Sequence, residues 1–412
     1  MTDHPCRFCG APLTRSFADL GMSPPSNRYL KPGQEERMEP FYPLHAFVCE
    51  VCLLVQLEQF ESPSAIFGDY AYFSSYSDLW LAHAREYVER MMERFHLGAQ
   101  SKVVEIASND GYLLRNFKQL GVPILGIEPA ANVAAEAERL GIPTRVDFFG
   151  VRLARQLLAE GHSADLLLGN NVLAHVPELN DFVAGLKILL KAKGVITLEF
   201  PHLLRLIEFN QFDTIYHEHF SYFSFLTVRR VFEKHGLELF DVDELPTHGG
   251  SLRIYGRHVE DESRLISEGV RNLLESEREA GLEKLETYSA FEAQVKATKR
   301  KLLTFLISAK DQGKTIVGYG APAKGNTLLN YCGIRQDFLD YTVDRSPHKQ
   351  GQLLPGSHIR IFAPEHITET RPDYLLVLPW NIKDEIMSQM RVIKNWGGKF
   401  VIPIPEPTVI AP

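Results

Sequence analysis

The chain has 412 residues, of which 45% are hydrophobic and 23% charged, and it carries a formal net charge of -8. That length accommodates two or three domains at roughly 150 residues each, and the composition is that of an ordinary folded protein. No run approaches the ~20 apolar residues of a membrane span, Met1–Cys6 lacks the basic and apolar segments of an export signal, and the acidic balance argues against a nucleic-acid partner. A cytoplasmic protein with neither membrane nor nucleic acid as partner is expected.

Four of the five cysteines stand as two hooks, Cys6-Arg7-Phe8-Cys9 and Cys49-Glu50-Val51-Cys52. Cytosolic thiols are kept reduced, so this spacing points to a tetrahedral thiolate site for zinc and away from disulfides. Four thiolates close the metal's coordination, which makes the expected role structural. The segment between the hooks carries Pro24, Pro25, Pro32, Pro40 and Pro43, too many for a self-sufficient core, and a metal staple supplies the missing stability. The competing reading is a pair of redox or incidental Cys pairs. Cys332 stands alone and is expected in a core.

An aromatic-rich connection, Phe67 to Tyr76, leads to a helix expected over Leu79–Phe95. Next, Ser101–Leu114 reads as an apolar strand, a small-residue turn and a helix, followed by a second strand, Ile124–Glu128, that ends in an acid. A carboxylate in that place can take both ribose hydroxyls of an adenosine cofactor. The turn is Glu105-Ile106-Ala107-Ser108-Asn109-Asp110-Gly111, a poor cradle for a pyrophosphate, and it suits S-adenosylmethionine, which has no phosphates. Glu105, Ala107, Asn109, Gly111 and Glu128 are therefore the expected cofactor residues, with a dinucleotide fold as the alternative. Strands at Ala164–Asn171 and Gly194–Pro201 continue the alternation, implying a mostly parallel sheet that binds ligands beyond its C-terminal strand ends. Asn171, a further cofactor candidate, falls at that edge with His175 and Glu199.

The densest run of chemistry is Phe212-Asp213-Thr214-Ile215-Tyr216-His217-Glu218-His219-Phe220-Ser221-Tyr222. His, Glu and Tyr move protons near neutral pH, best where apolar walls exclude water. A metal reading is weak, because adjacent His217 and Glu218 point different ways on a helix or a strand. After His248-Gly249-Gly250-Ser251-Leu252-Arg253, residues 259–312 read as long, solvent-facing helices bridging to another unit. A second α/β pattern then begins at Thr315, with the turn Gly320-Ala321-Pro322-Ala323-Lys324-Gly325-Asn326. Free backbone amides and Lys324 in such a turn suit an anionic group.

Taken together, the Cys hooks, the Glu-Ile-Ala-Ser-Asn-Asp-Gly turn, Tyr-His-Glu-His-Phe-Ser-Tyr, His-Gly-Gly-Ser-Leu-Arg and Gly-Tyr-Gly-Ala-Pro-Ala-Lys-Gly-Asn-Thr resemble the nucleotide-sugar C-methyltransferases over nearly the whole chain. Within that family the chain resembles the 3-C-methyltransferases of 4-keto sugars. The resemblance implies an α/β protein with a small zinc-binding domain (residues 1–72), a class I, Rossmann-like S-adenosylmethionine domain (73–245) and a C-terminal Rossmann-like domain (246–412). The nucleotide sugar would lie between the last two. It also implies proton-handling residues at Tyr70, His175, Tyr216, Glu218 and His219, with Tyr72 close enough to Tyr70 to be its counterpart. Lys324, Asn326, Tyr72, Tyr222, His248 and Arg253 are the residues expected to meet substrate.

Methylating carbon needs a carbanion, which a carbon beside a ketone supplies as an enolate once a base removes its proton. His219 is the expected base, oriented by Glu218 or Tyr216, with His175 or a tyrosine donating to the enolate oxygen. An O- or N-methyltransferase needs only one base, so the surplus of proton-handling residues counts against it. A zinc-ribbon RNA-binding protein requires a basic groove with exposed aromatics, which the acidic balance disfavours.

Overall fold

The structure, a computed structural model, describes residues 4–68, 74–76 and 78–412. Its first sheet is antiparallel, formed by Arg15–Ser23, Tyr42–Val48 and Val55–Leu57. The fourth strand of this sheet is Ser221–Tyr222, which comes from the far side of the middle unit and pairs with Val55 and Gln56. The second cysteine hook forms the turn between Tyr42–Val48 and Val55–Leu57, with Leu53 N–H donating to Cys49 O.

The second sheet has seven strands. From edge to edge they are Leu237–Leu245, Ser251–His258, Leu190–Pro201, Ala164–Asn170, Val103–Ile106, Ile124–Ile127 and Thr144–Arg145. Numbered in chain order this is 6-7-5-4-1-2-3, parallel except for Ser251–His258, which runs antiparallel to both neighbours. Val103–Ile106 and Ile124–Ile127 are buried at every position, as strands covered on both faces must be. Strand order reverses between Val103–Ile106 and Ala164–Asn170, and that reversal opens a crevice at their C-terminal ends. Beyond residue 246, Leu252 and Ile254 register with Phe200 and Leu198, so Ser251–His258 is a strand of the middle sheet.

The third sheet runs Ile361–Phe362, Thr342–Val343, Ile316–Tyr319, Tyr374–Val377, Lys399–Ile402 and Thr408–Ile410. In chain order that is 3-2-1-4-5-6, parallel but for the last strand, the Rossmann order.

The helices read as solvent-facing bridges are braces. Helix Leu285–Asp311 buries Tyr288, Phe291, Val295, Leu302 and Leu306 along one face. Phe17 of the first sheet stacks on Phe291 with ring centroids 4.6 Å apart. One continuous apolar core thus joins the first sheet, this helix and the third sheet, and it includes Cys332. The charge-rich composition recorded only the helix's outer face.

Candidate active site

At the crevice of the middle sheet lies a cavity of about 820 Å³. All three units reach it: Asn27 from the first, Glu128, His175 and His219 from the middle, Lys324 and Lys349 from the third.

The cysteine hooks meet away from this cavity. All four Sγ atoms lie within 4.8 Å of one another, with Cys6–Cys52 and Cys9–Cys49 both at 3.5 Å. These separations match the edge of about 3.8 Å of a tetrahedron built on Zn–S bonds of about 2.3 Å, and they are far from a disulfide bond. Gln56 Nε2 donates to Cys6 Sγ at 3.1 Å, an outer contact that favours thiolate. The donor set fits zinc, held by Cys6, Cys9, Cys49 and Cys52.

At the cofactor end, Ala107 (φ +56°), Asn109 (+51°) and Asn171 (+54°) all adopt the left-handed region and line the cavity. Such strain collects where a backbone must approach a ligand. Gly111 (φ +77°) does not line the cavity. An added Cβ there would sit 2.2 Å from Ile142 Cδ1, so its part is to let the turn pack. Glu128 lines the cavity and braces the same turn, accepting from Asn109 N–H at 3.0 Å and Ala130 N–H at 2.9 Å; burial raises its pKa. Glu105 sits behind the lining, fully buried, with its pKa raised well above normal by burial and by Asp110 and Glu128. Orphaned buried polar atoms gather here: both Glu105 oxygens, Asp110 Oδ1, Asn170 Nδ2 and Asn171 Oδ1 have no partner among the described residues. Of these, Asn170 and Asn171 line the cavity beside Glu128, where a ligand with ribose hydroxyls and an amino-acid head would find partners, so the residues fit S-adenosylmethionine.

The proton-handling end is built by the loop after Phe212–Thr214. Phe220 N–H donates to Ala174 O at 2.7 Å, which brings the His219 and His175 rings to 4.7 Å, edge to face. His219 Nδ1 lies 3.0 Å from Thr214 O. A carbonyl can only accept, so Nδ1 carries the proton and Nε2 keeps its lone pair. Tyr216 packs its ring 4.0 Å from that of His219. The expected orienting role of Glu218 is not what the geometry gives: its Oε1 accepts from Asn27 Nδ2 at 2.7 Å, and the Thr214 carbonyl orients the imidazole. Burial, with His175 nearby, holds the His219 pKa well below normal. Burial also lowers His175 to about 4, against the Glu218 carbonyl facing its ring, and lowers His248 to about 4. Glu218 is pushed up to about 7 by burial, against the pull of Asn27. At neutral pH the wall therefore holds neutral imidazoles and one carboxyl group near its midpoint. His217 faces away, its Nε2 3.2 Å from Pro43 O.

Among the expected substrate residues, Lys324 and His248 line the cavity. Lys324 Nζ donates to Asn381 Oδ1 at 2.9 Å and sits 4.7 Å above the Trp380 ring, and burial lowers its pKa. His248 (φ +56°) meets Asn171 Nδ2 at 3.0 Å. Asn326, Tyr222 and Arg253 are not on the cavity. Asn326 is buried and its Nδ2 donates to Ser26 O at 2.6 Å. Tyr222 belongs to the first sheet, packed behind His219. Arg253 is buried against Glu199 Oε2 at 2.7 Å, where His83 also binds at 2.9 Å. Burial acts to raise Glu199, yet His83 and Arg253 hold it down to about 2, so this acid is a structural anchor. Tyr70 and Tyr72 lie outside the described residues. The sequence reading missed Asn27, Trp80, Phe148 and Lys349, all on the cavity. Only Trp80, beside the aromatic-rich connection, had a local signal.

Three families match successive parts of the chain: a zinc binding domain at residues 6–67, a methyltransferase domain at 80–242, and a C-methyltransferase C-terminal domain at 246–405. Over 406 residues the chain is 34% identical to C-methyltransferase NovU of Streptomyces niveus, covering 98% of this chain and 96% of that protein. Among solved structures, a SAM-dependent methyltransferase from Anabaena variabilis aligns at 17% identity over 43% of this chain and 86% of its own, with a TM-score of 0.36. The magnesium protoporphyrin IX methyltransferase of Synechocystis aligns at 15% over 46% and 86%, with a TM-score of 0.33. Both are too distant in shape to bear on the site. The near full-length match and the successive domains make this chain an S-adenosylmethionine-dependent, zinc-binding methyltransferase that belongs to the C-methyltransferase family.

Proposed function

We propose that the enzyme methylates carbon, at C3 of a nucleotide-linked 4-keto-deoxysugar, through an enolate, in the making of a branched deoxysugar. The observation that carries this reading is His219: a buried imidazole whose Nδ1 proton is tied to Thr214 O, leaving Nε2 as the acceptor on a cavity that also holds His175, Tyr216, Glu218 and Lys324. Oxygen or nitrogen methylation would not need that many proton-handling groups.

Glu128 would hold the ribose hydroxyls of S-adenosylmethionine, with the Ala107–Asn109 turn and Asn171 around its amino-acid end. When bound, S-adenosylmethionine supplies an electrophilic methyl group to the carbon nucleophile. His219 Nε2 removes the proton from the carbon beside the ketone, and the Thr214 carbonyl steadies the imidazolium that forms. Glu218, ionised above about pH 7, adds negative charge to the same wall. His175 or Tyr216 donates to the enolate oxygen as charge develops there. Lys324, at the start of helix Ala323–Cys332, meets the diphosphate, and Lys349 adds a second cation to that side of the cavity.

The test is deuterium wash-in. With S-adenosylhomocysteine present, the wild-type enzyme should exchange the proton beside the ketone with heavy water. His219→Asn should lose exchange and methyl transfer by about 10²-fold or more with both ligands still bound, and His175→Asn should lose less. Normal exchange in the His219 variant would remove it as the base.

A further inference from the structure

The zinc-bearing unit does more than stand beside the cavity. Its loop after strand Arg15–Ser23 puts Asn27 on the cavity wall, with Nδ2 2.7 Å from Glu218 Oε1. Both partners are held by one element of the third unit, helix Ala323–Cys332. Asn326 Nδ2 donates to Ser26 O at 2.6 Å, one residue before Asn27. Thr327 Oγ1 donates to Ile215 O at 3.0 Å, three residues before Glu218, and its hydroxyl also lies 3.4 Å from that of Ser26. Further along the loop, Tyr29 Oη donates to Ala321 O at 2.5 Å, and Leu30 and Leu353 exchange backbone hydrogen bonds at 3.1 and 2.9 Å. The loop is therefore pinned on both sides of Asn27, and a side-chain amide on a pinned loop has little freedom to leave its partner.

We propose that Asn27 is a positioning residue of the active site: the zinc-bearing unit completes the catalytic cavity by donating a hydrogen bond to the Glu218 carboxylate. This rests on the reading of Glu218 as ionised during turnover. An ionised carboxylate is acceptor-only, and an amide N–H is the donor that fixes it without adding charge. A lysine there would place a cation beside the imidazolium formed at His219. The groups facing Glu218 are Tyr29, whose phenol it helps to raise, the neighbouring imidazoles of His175 and His219, and Lys324 and Lys349 across the same cavity. Among the described residues Asn27 is the side chain bonded to the carboxylate.

The experiment uses the full-length, zinc-loaded protein and two variants, Asn27→Leu and the isosteric Asn27→Asp. The Glu218 carboxyl is titrated by carbon-13 NMR, with Glu218→Gln to assign its signal, and kcat/KM is followed from pH 5.5 to 9. In Asn27→Leu the titration midpoint and the acidic limb of kcat/KM should both move up by about one pH unit. In Asn27→Asp, which sets a second carboxyl group against the first, they should move further. Zinc content and S-adenosylhomocysteine affinity should stay at wild-type values in both. A Glu218 titration that does not move in either variant overturns the proposal. A titration that moves while the kinetic limb stays put keeps the contact but removes Glu218 from the reaction, and with it the positioning role.

Discussion

Replacing Glu128 with alanine tests the cofactor end most sharply, because this carboxylate has two partners already in place. Its oxygens accept from Asn109 N–H at 3.0 Å and Ala130 N–H at 2.9 Å, which ties the left-handed turn at Ala107–Asn109 to the start of helix Ala131–Arg139. Removing the side chain strands both donors, at about 1–3 kcal/mol each if they stay buried. The unliganded protein should therefore melt roughly 4–24 °C lower, at about 2–4 °C per kcal/mol for a unit of this size. Losing the proposed ribose contacts should weaken S-adenosylhomocysteine by a further ~1–3 kcal/mol, or about 5- to 150-fold in Kd. Glu128→Gln is the informative companion. Both backbone partners are donors and an amide has a single oxygen, so glutamine satisfies one and opposes the other. It should resemble alanine more than wild type. Titration calorimetry reads binding, and a melt without ligand reads the fold. Unchanged affinity in Glu128→Ala, or wild-type behaviour in Glu128→Gln, would refute this reasoning.

Cys49→Ser removes one of four clustered thiolates and should give an insoluble or unstable protein; a stable, metal-free, active variant would exclude a structural metal. Lys324→Ala should raise the nucleotide-sugar KM by roughly 10- to 100-fold, the size of a charge-assisted contact, with cofactor affinity unchanged; wild-type values of both constants would make the turn a fold element only. The pH profile has a definite sign. Glu218 is raised to about 7, so it is protonated below that value and ionised above it, and kcat/KM should climb between pH 6 and 8. His219, lowered well below its usual value, is already unprotonated there and adds no limb. Glu218→Gln should flatten the climb, and a limb that survives would belong to another group.

Much of this architecture was legible locally. The cysteine spacing and the apolar strands ending in polar residues are short-range signals, and each led to the right element. What the sequence could not carry was facing. Asn326 sits two residues from Lys324, yet the helix turns its amide toward Ser26 while Lys324 lines the cavity. Arg253 follows the His-Gly-Gly turn closely, but strand alternation sends it to the buried side against Glu199. Tyr222 closes the proton-handling run and is claimed by the first sheet. Asn27 reaches Glu218 through a fold contact between distant segments, and no local pattern announces such a contact. Nor could composition show that Ser251–His258, inside the C-terminal domain match that begins at 246, returns as a β-hairpin to the middle sheet.

The central claim is that the methyl group ends on carbon beside a ketone. The direct measurement is incubation with carbon-13 methyl-labelled S-adenosylmethionine and a panel of nucleotide-linked 4-keto-deoxysugars, followed by NMR of the product. The expected product carries a labelled methyl in the aliphatic range whose protons correlate over two and three bonds with C3 and with the C4 carbonyl or its hydrate. A labelled methyl in the methoxy or N-methyl range would contradict methylation at carbon.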